Sequence, residues 1–206
     1  MAPMRARSVA AARASRPWLT FLVGGAVGFA ILILTQVLGD TRLEIGPWAL
    51  NGNGALAVPF VGFPLAIYVG WTTLADRHDG RDLVIQLVVF SLGLTLGAWV
   101  LGVLFAMPVA LATGAIYAIW MRGSAVKRSD RLLWAAFGAS IVVGALPILG
   151  LFGVALLPGS LILLARGRSA LARIGLGALL VAATMVIVFV VPVLFPAPSP
   201  TASLSS

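Results

Sequence analysis

From Leu83 to Met121 the chain runs for 39 positions without a charged residue. As one α-helix that stretch would be about 58 Å long at 1.5 Å per residue. The hydrocarbon core of a bilayer is only about 30 Å thick. A single crossing cannot use up the run, and no soluble domain keeps so long a segment from water. The spacing therefore predicts two membrane helices, 83–101 and 105–121, with a turn near Leu101–Phe105. Gly102 loosens that turn, and Pro108 suits the first turn of the second helix, where its missing N–H costs nothing.

The rest of the chain fits the same frame. Only 10% of its 206 residues are charged and 61% are hydrophobic, against about a quarter charged in a soluble domain. Apolar runs of spanning length cover 18–38, 56–75 and 171–194. The 34 uncharged residues from Leu132 to Ala165 are interrupted by Pro147, Gly150, Gly153 and the pair Pro158-Gly159. They are read as two thin helices, 132–147 and 150–165. A re-entrant hairpin is the alternative, since non-helical backbone at that depth must be covered by protein or line a wet cavity. Both versions return the chain to the side it left.

Charge placement orients the bundle. With the N-terminus in the cytoplasm, thirteen of the fourteen basic residues fall inside and only Arg42 falls outside, as the positive-inside rule requires. Merging 83–121 into one span would scatter the basic clusters over both faces. The expected fold is an all-α integral membrane protein of seven transmembrane helices, N-terminus in and C-terminus out. Residues 1–17 form a basic cytoplasmic tail, 18–195 a single helical bundle, and 196–206 a disordered tail rich in Pro and Ser. The 21-residue first run is too long for a signal peptide, and further spans follow it. Thirteen arginines against one lysine, Lys127, is a composition associated with GC-rich bacterial genomes. The expected location is the bacterial cytoplasmic membrane.

Several chemistries are excluded. There is no cysteine, so disulfides, thiolate catalysis and Cys-ligated metals are absent. The one histidine, His78, lies in a loop, which excludes bis-histidine haem within the membrane and the H-E-x-x-H zinc motif. Ser160 has no histidine base in any span. No carboxylate lies within a span, so there is no charged relay at depth. The net charge of +8 sits in clusters between apolar runs without interleaved aromatics, which argues against nucleic acid.

Polar residues at depth are few: Gln86, Ser91, Thr95, Thr113, Tyr117, Ser140 and Thr184, with Thr35 and Gln36 near the end of the first span. Gln86 is expected at headgroup depth. Serines and threonines there commonly bond back to their own helix. Small residues recur every fourth position: Gly24 and Gly28; Gly62, Ala66 and Gly70; Gly93 and Gly97; Ala106, Ala110, Gly114 and Ala118; Ala136, Ser140 and Gly144. Such stripes let helix backbones approach closely and are read first as packing within the chain, with contact to another subunit as the sharper reading.

The candidate site is the loop 76–82, where Asp76, Arg77, His78, Asp79, Arg81 and Asp82 join the second and third spans. His78 with Asp79 or Asp82 would make an acid/base couple, but the spacing is one short of the H-x-x-x-x-D of glycerolipid-type acyltransferases. The two arginines oppose a bound cation. As structure, Asp79-Gly80 is a turn pair, and Asp82 can accept the free N–H groups of the next helix. Leu74-Ala75-Asp76-Arg77 followed by Gly80-Arg81 is similar to the cytoplasmic signature G-x-L-A-D-R-x-G-R-[RK] of major facilitator transporters. Thr72 stands where that family has glycine, His78 and Asp79 fill one position, and Asp82 replaces a basic residue. The match covers about ten positions of 206, and no function is carried over from it. On the other face, "DTRLEIGPWALNGNG" (40–54) alternates around Gly46-Pro47 and predicts a β-hairpin on the membrane surface, with Trp48 at headgroup level.

The expected function is that of a non-enzymatic accessory or scaffolding component of a membrane complex, with no cofactor and no metal. Its partners would be the lipid bilayer and other membrane subunits or further copies of itself, not nucleic acid. The alternative is a small permease for a neutral or apolar solute, which requires a polar cavity near Pro147–Ser160. An enzyme using the 76–82 loop is the third reading and requires His78, Asp79 and Asp82 to converge.

Overall fold

A computed structural model describes residues 16–38, 43–45, 48–50, 54–77, 80–122, 130–146 and 149–194. Six helices follow one another: α1 (Pro17–Leu38), α2 (Gly54–Ala75), α3 (Gly80–Arg122), α4 (Asp130–Gly144), α5 (Gly150–Ala165) and α6 (Ala170–Leu194). Between α1 and α2, strands β1 (Leu43–Ile45) and β2 (Trp48–Leu50) pair antiparallel, with Glu44 opposite Ala49. This is the expected hairpin; its Gly46-Pro47 turn and Asn51–Asn53 lie outside the described residues, as do most of the basic tail, Lys127 and the segment 196–206. Among the described residues four helical stretches are long and apolar enough to cross a membrane: Pro17–Leu38, Ala57–Ala75, Gly80–Trp120 and Ala170–Val188. The chain is an all-helical membrane protein with one small ribbon.

α1 starts where the sequence dictates. Pro17 occupies its first position, and the Arg16 carbonyl accepts the N–H groups of Leu19 and Thr20. The helix then packs on α3 through glycines from both sides. A Cβ at Gly24 or Gly28 would fall inside contact with the carbonyls of Phe90 and Leu94, and one at Gly93 or Gly97 with those of Phe21 and Gly25. Both sets of numbers rise together, so α1 and the first half of α3 run parallel. At the start of this seam Thr20 Oγ1 donates to Gln86 Oε1 at 2.7 Å. Gln86 is 1% exposed, a buried tie between two helices close to the start of each.

α3 is two rods. At Trp99 the backbone takes φ 56, ψ −135, a left-handed conformation that a bulky residue adopts only under constraint. Three residues later a Cβ on Gly102 would sit 2.6 Å from the Thr95 carbonyl oxygen. In an unbroken helix residues seven apart are separated by about 10 Å, so the chain turns back on itself. The expected break at Leu101–Phe105 is thus corrected to Trp99. Gly102 does not loosen the turn; it lets the second rod lie against the first. Pro108 falls well inside the second rod, as Pro59 and Pro64 do in α2 and Pro158 in α5. The Pro158-Gly159 pair, read as an interruption, is crossed by continuous helix.

The second rod of α3 runs parallel to α2. Phe105 meets Phe60 with centroids 4.5 Å apart, and Tyr117 meets Trp71 at 4.6 Å. α5 is the central element, buried from Val154 to Ala165 except at Leu156. A helix apolar all round belongs inside a bundle. Its neighbours supply Trp71, Phe63, Ile67, Leu83, Leu87 and Leu180, all below 2% exposed.

α4 and α5 form a hairpin. Gly153 lies against the backbone of Ser140 and Gly144, and Gly144 lies against Ile187 of α6. At the opposite end the Arg168 guanidinium meets Asp130 at 2.7 Å. The expected helices 132–147 and 150–165 are therefore present with the first ending at Gly144; Pro147 lies outside the described residues.

The glycines make a discriminating test. Gly24→Leu and Gly97→Leu must separate two backbones, whereas a Cβ on Gly114, Gly138 or Gly175 meets nothing within 4 Å. The first pair should lower the thermal midpoint in detergent, with a cost of about 1–3 kcal/mol each from overpacking. Gly114→Leu should leave it nearly unchanged.

Candidate functional site

A cavity with polar walls lies where α2 and α5 end and α6 begins. α2 closes with Arg77 N–H donating to the Leu74 carbonyl, which leaves Asp76 exposed just past the helix. α5 and α6 are joined through Gly167 at φ 70, and Ser169 Oγ accepts the Ala172 N–H as α6 starts. The short turn places Arg173, on the first turn of α6, against the last turn of α2.

Arg173 ties three segments together. Its Nη1 donates to Asp76 Oδ2 and its Nη2 to Asp76 Oδ1 at 3.2 Å, a bidentate arrangement that suits the planar guanidinium. Nη1 also reaches the Thr72 carbonyl, and Nε the Arg168 carbonyl. In return Tyr68, 3% exposed, donates its hydroxyl to the Arg173 carbonyl at 2.8 Å. The Arg173 guanidinium, hydrogen-bonded to it, holds the Asp76 carboxyl below the ordinary carboxylate range.

The cavity beside this knot has a volume of about 270 Å³. Thr72, Asp76, Arg166 and Arg173 give it a polar side, Ile162 and Leu163 an apolar one, and Tyr117 also lines it. The volume is that of a small anion or headgroup fragment, with mixed walls as binding sites usually have.

The sequence-predicted loop contributes little to it. Among its described members, Asp76 lines the cavity. Arg77 is in the turn and exposed, and Arg81 and Asp82 stand in the first turn of α3 after Gly80 at φ 50. His78 and Asp79 lie outside the described residues. Among the described residues no three of His, Cys, Asp or Glu gather as metal ligands. Arg173, Arg166, Thr72 and Tyr68 had no site role in the sequence reading. Asp76 and Arg173 are 97 positions apart, and no local spacing joins them.

A second cavity, about 290 Å³, opens between α3, α4 and α5 and is lined by Ile116, Trp120, Leu133, Ser140, Leu156 and Ser160 among others. Its two serines turn inward on their own helices, Ser140 Oγ to the Ala136 carbonyl and Ser160 Oγ to the Leu157 carbonyl. Thr35, Ser91 and Thr184 do the same. Among the described residues the buried Thr95 and Thr113 hydroxyls and the Trp71 indole N–H have no hydrogen-bond partner.

The ion pair gives a pH prediction. Its contribution is fully present above the unfolded carboxylate pKa of about 4 and is lost as pH falls through the lowered folded value. Detergent-solubilised wild type should lose thermal stability over that acid range. Asp76→Asn should start lower at neutral pH and show a flatter dependence, as melting curves between pH 7 and pH 3 would reveal. Comparison of the chain with known proteins finds no matching family model, no matching curated protein and no matching solved structure.

Proposed function

We propose that this chain crosses a bacterial cytoplasmic membrane seven times, with its N-terminus inside, and serves as a non-enzymatic accessory or scaffolding subunit of a membrane complex. The observation that carries the subunit reading is the closed apolar interior. The central helix α5 is surrounded by carbon side chains, and five of the buried hydroxyls near it or along the seams are spent on their own backbones. A packed body of this kind supports a structural role better than a pathway role, since transport sites ordinarily place polar or broken backbone at the midplane. The polar cavity that the permease reading needs near Ser160 is replaced by an apolar groove.

The topology draws support from helix directions. α1 runs parallel to the first rod of α3 and α2 parallel to the second, while Tyr68 and Asp76 of α2 meet Gly177 and Arg173 of α6 in antiparallel order. Alternating crossings have those relations. The Asp76–Arg173 and Asp130–Arg168 pairs then both lie on the cytoplasmic side.

A second reading keeps one specific support. The groove of about 290 Å³ beside Leu156 has the size and apolar walls for a neutral, apolar solute, which would enter from the lipid.

Because the chain has no cysteine, single cysteines report topology directly. In intact cells an impermeant maleimide should label Asn51→Cys and Leu146→Cys, and Ser169→Cys only after permeabilisation. Protection of Leu146→Cys from both sides would make 130–165 re-entrant. For function, mild solubilisation from the native host should yield a stoichiometric hetero-complex, and proteoliposomes of the chain alone should take up neutral solutes no faster than protein-free vesicles. A lone chain with solute-specific uptake would overturn the subunit reading in favour of the permease.

A further inference from the structure

Among the described residues the second rod of α3 and the helix α4 both pack on α5 but hardly on each other. In the gap between them α5 turns outward Leu156, its one half-buried residue between Gly153 and Ala165. The result is the groove of about 290 Å³, open sideways, with Ala136 and Ala139 exposed on one wall and Ile116 on the other. Its two hydroxyls are already used, Ser140 and Ser160 each donating to a carbonyl of its own helix. A trapped water needs several polar partners, and a void left empty forfeits the dispersion contacts of its lining. Hydrocarbon is what fits.

Length and charge select the kind of hydrocarbon. From Leu133 to Val143 the groove follows α4 for about 15 Å at 1.5 Å per residue, half of a hydrocarbon core of about 30 Å. It stops where Gly153 brings α5 against the backbone of Ser140 and Gly144. A spanning helix of a partner protein has to be seated over the whole thickness, whereas a lipid acyl chain occupies one leaflet. The other end of the groove is basic. There α3 ends at Arg122, and Arg131 is exposed on the first turn of α4, while the adjacent Asp130 is held by Arg168. Arginine at that end of both flanking helices complements a phosphate lying above the chain.

We infer that the groove holds one acyl chain of a phospholipid from the leaflet on the Arg131 side, with the lipid phosphate at Arg131. The lipid stays with the protein and is not carried across, which separates this occupant from the solute of a permease. The inference rests on the membrane reading of the bundle and not on the subunit reading.

The test uses the full chain purified in a neutral detergent and washed free of loosely held lipid. Native mass spectrometry should show a retained phospholipid. Added phosphatidylglycerol should raise the thermal midpoint saturably, and diacylglycerol of the same acyl chains should do so only at higher concentration. Ala136→Phe and Ala139→Phe each fill the groove and should remove both the retained lipid and the rise. Gly138→Phe, on an exposed face of α4 where a Cβ meets nothing within 4 Å, should keep both. Arg131→Gln should weaken the apparent affinity for phosphatidylglycerol about fivefold, the scale of one basic residue beside an anionic headgroup, and leave that for diacylglycerol unchanged. If the filling variants fail to fold, Arg131→Gln on the surface carries the test. No retained lipid, a lipid that survives both filling variants, or an equal response to the two lipids would overturn the site. So would a cross-link from Ala139→Cys to a partner protein in the native membrane. A chain that purifies alone with its lipid keeps the site while the subunit reading falls; a hetero-complex without the lipid does the reverse.

Discussion

The backbone contact between α1 and the first rod of α3 sets the arrangement of everything else. Lipid tails are as apolar as leucine, so no hydrophobic force draws these helices together; close packing does. Glycine at 24, 28, 93 and 97 removes the only atoms that would hold the two backbones apart, and the reward is many dispersion contacts that are individually tiny. Once these rods are parallel, α2, which links them in sequence, must run back the other way, and the turn at Trp99 reverses α3. The strained Trp99 conformation is tolerated because both rods on either side of it are fixed, the first by the glycine seam and the second by Phe60, Phe63 and Trp71.

The polar groups obey the same accounting at smaller scale. In hydrocarbon an unmet donor or acceptor is costly, and most hydroxyls here close on their own helix. Two buried polar side chains join helices instead: Gln86 accepts from a threonine on α1, and Tyr68 on α2 donates to the Arg173 carbonyl on α6. The charged ties sit at one end of the bundle, where Arg173 and Arg168 each reach a carboxylate at the end of another helix. Exposed pairs of this kind add little to stability because solvent screens them. Arg173 matters more for where it points the start of α6 than for the energy of its pair.

Much of this was legible in the residues. The apolar runs gave every helix to within a few positions, and Gly24, Gly28, Gly93 and Gly97 were readable as a seam because their spacing repeats every helical turn. Prolines misled: Pro108 and Pro158 looked like boundaries, yet membrane helices carry proline where neighbours and local adjustment satisfy the freed carbonyl. The break fell instead on Trp99, whose type signals nothing of the sort. The loop 76–82 drew attention because its charges are adjacent in sequence. The cavity drew none, because Asp76, Tyr117, Arg166 and Arg173 come together only through the directions of four helices, and no single-chain spacing encodes that.

The α4–α5 hairpin has a consequence for the membrane around it. Its arms of 15 and 16 residues rise about 22–24 Å, and its tip meets α6 at Ile187, seven residues before that helix ends at Leu194. In the proposed seven-span arrangement a hydrocarbon layer of about 30 Å would overshoot the hairpin by roughly 6–8 Å on one flank while matching the longer helices elsewhere. Lipids beside it would then have to shorten or tilt to meet it, at fractions of a kcal/mol per ångström. An outline of that kind would be asymmetric in thickness, and the asymmetry alone would bias the protein toward thinner membrane and toward any neighbour able to fill the step.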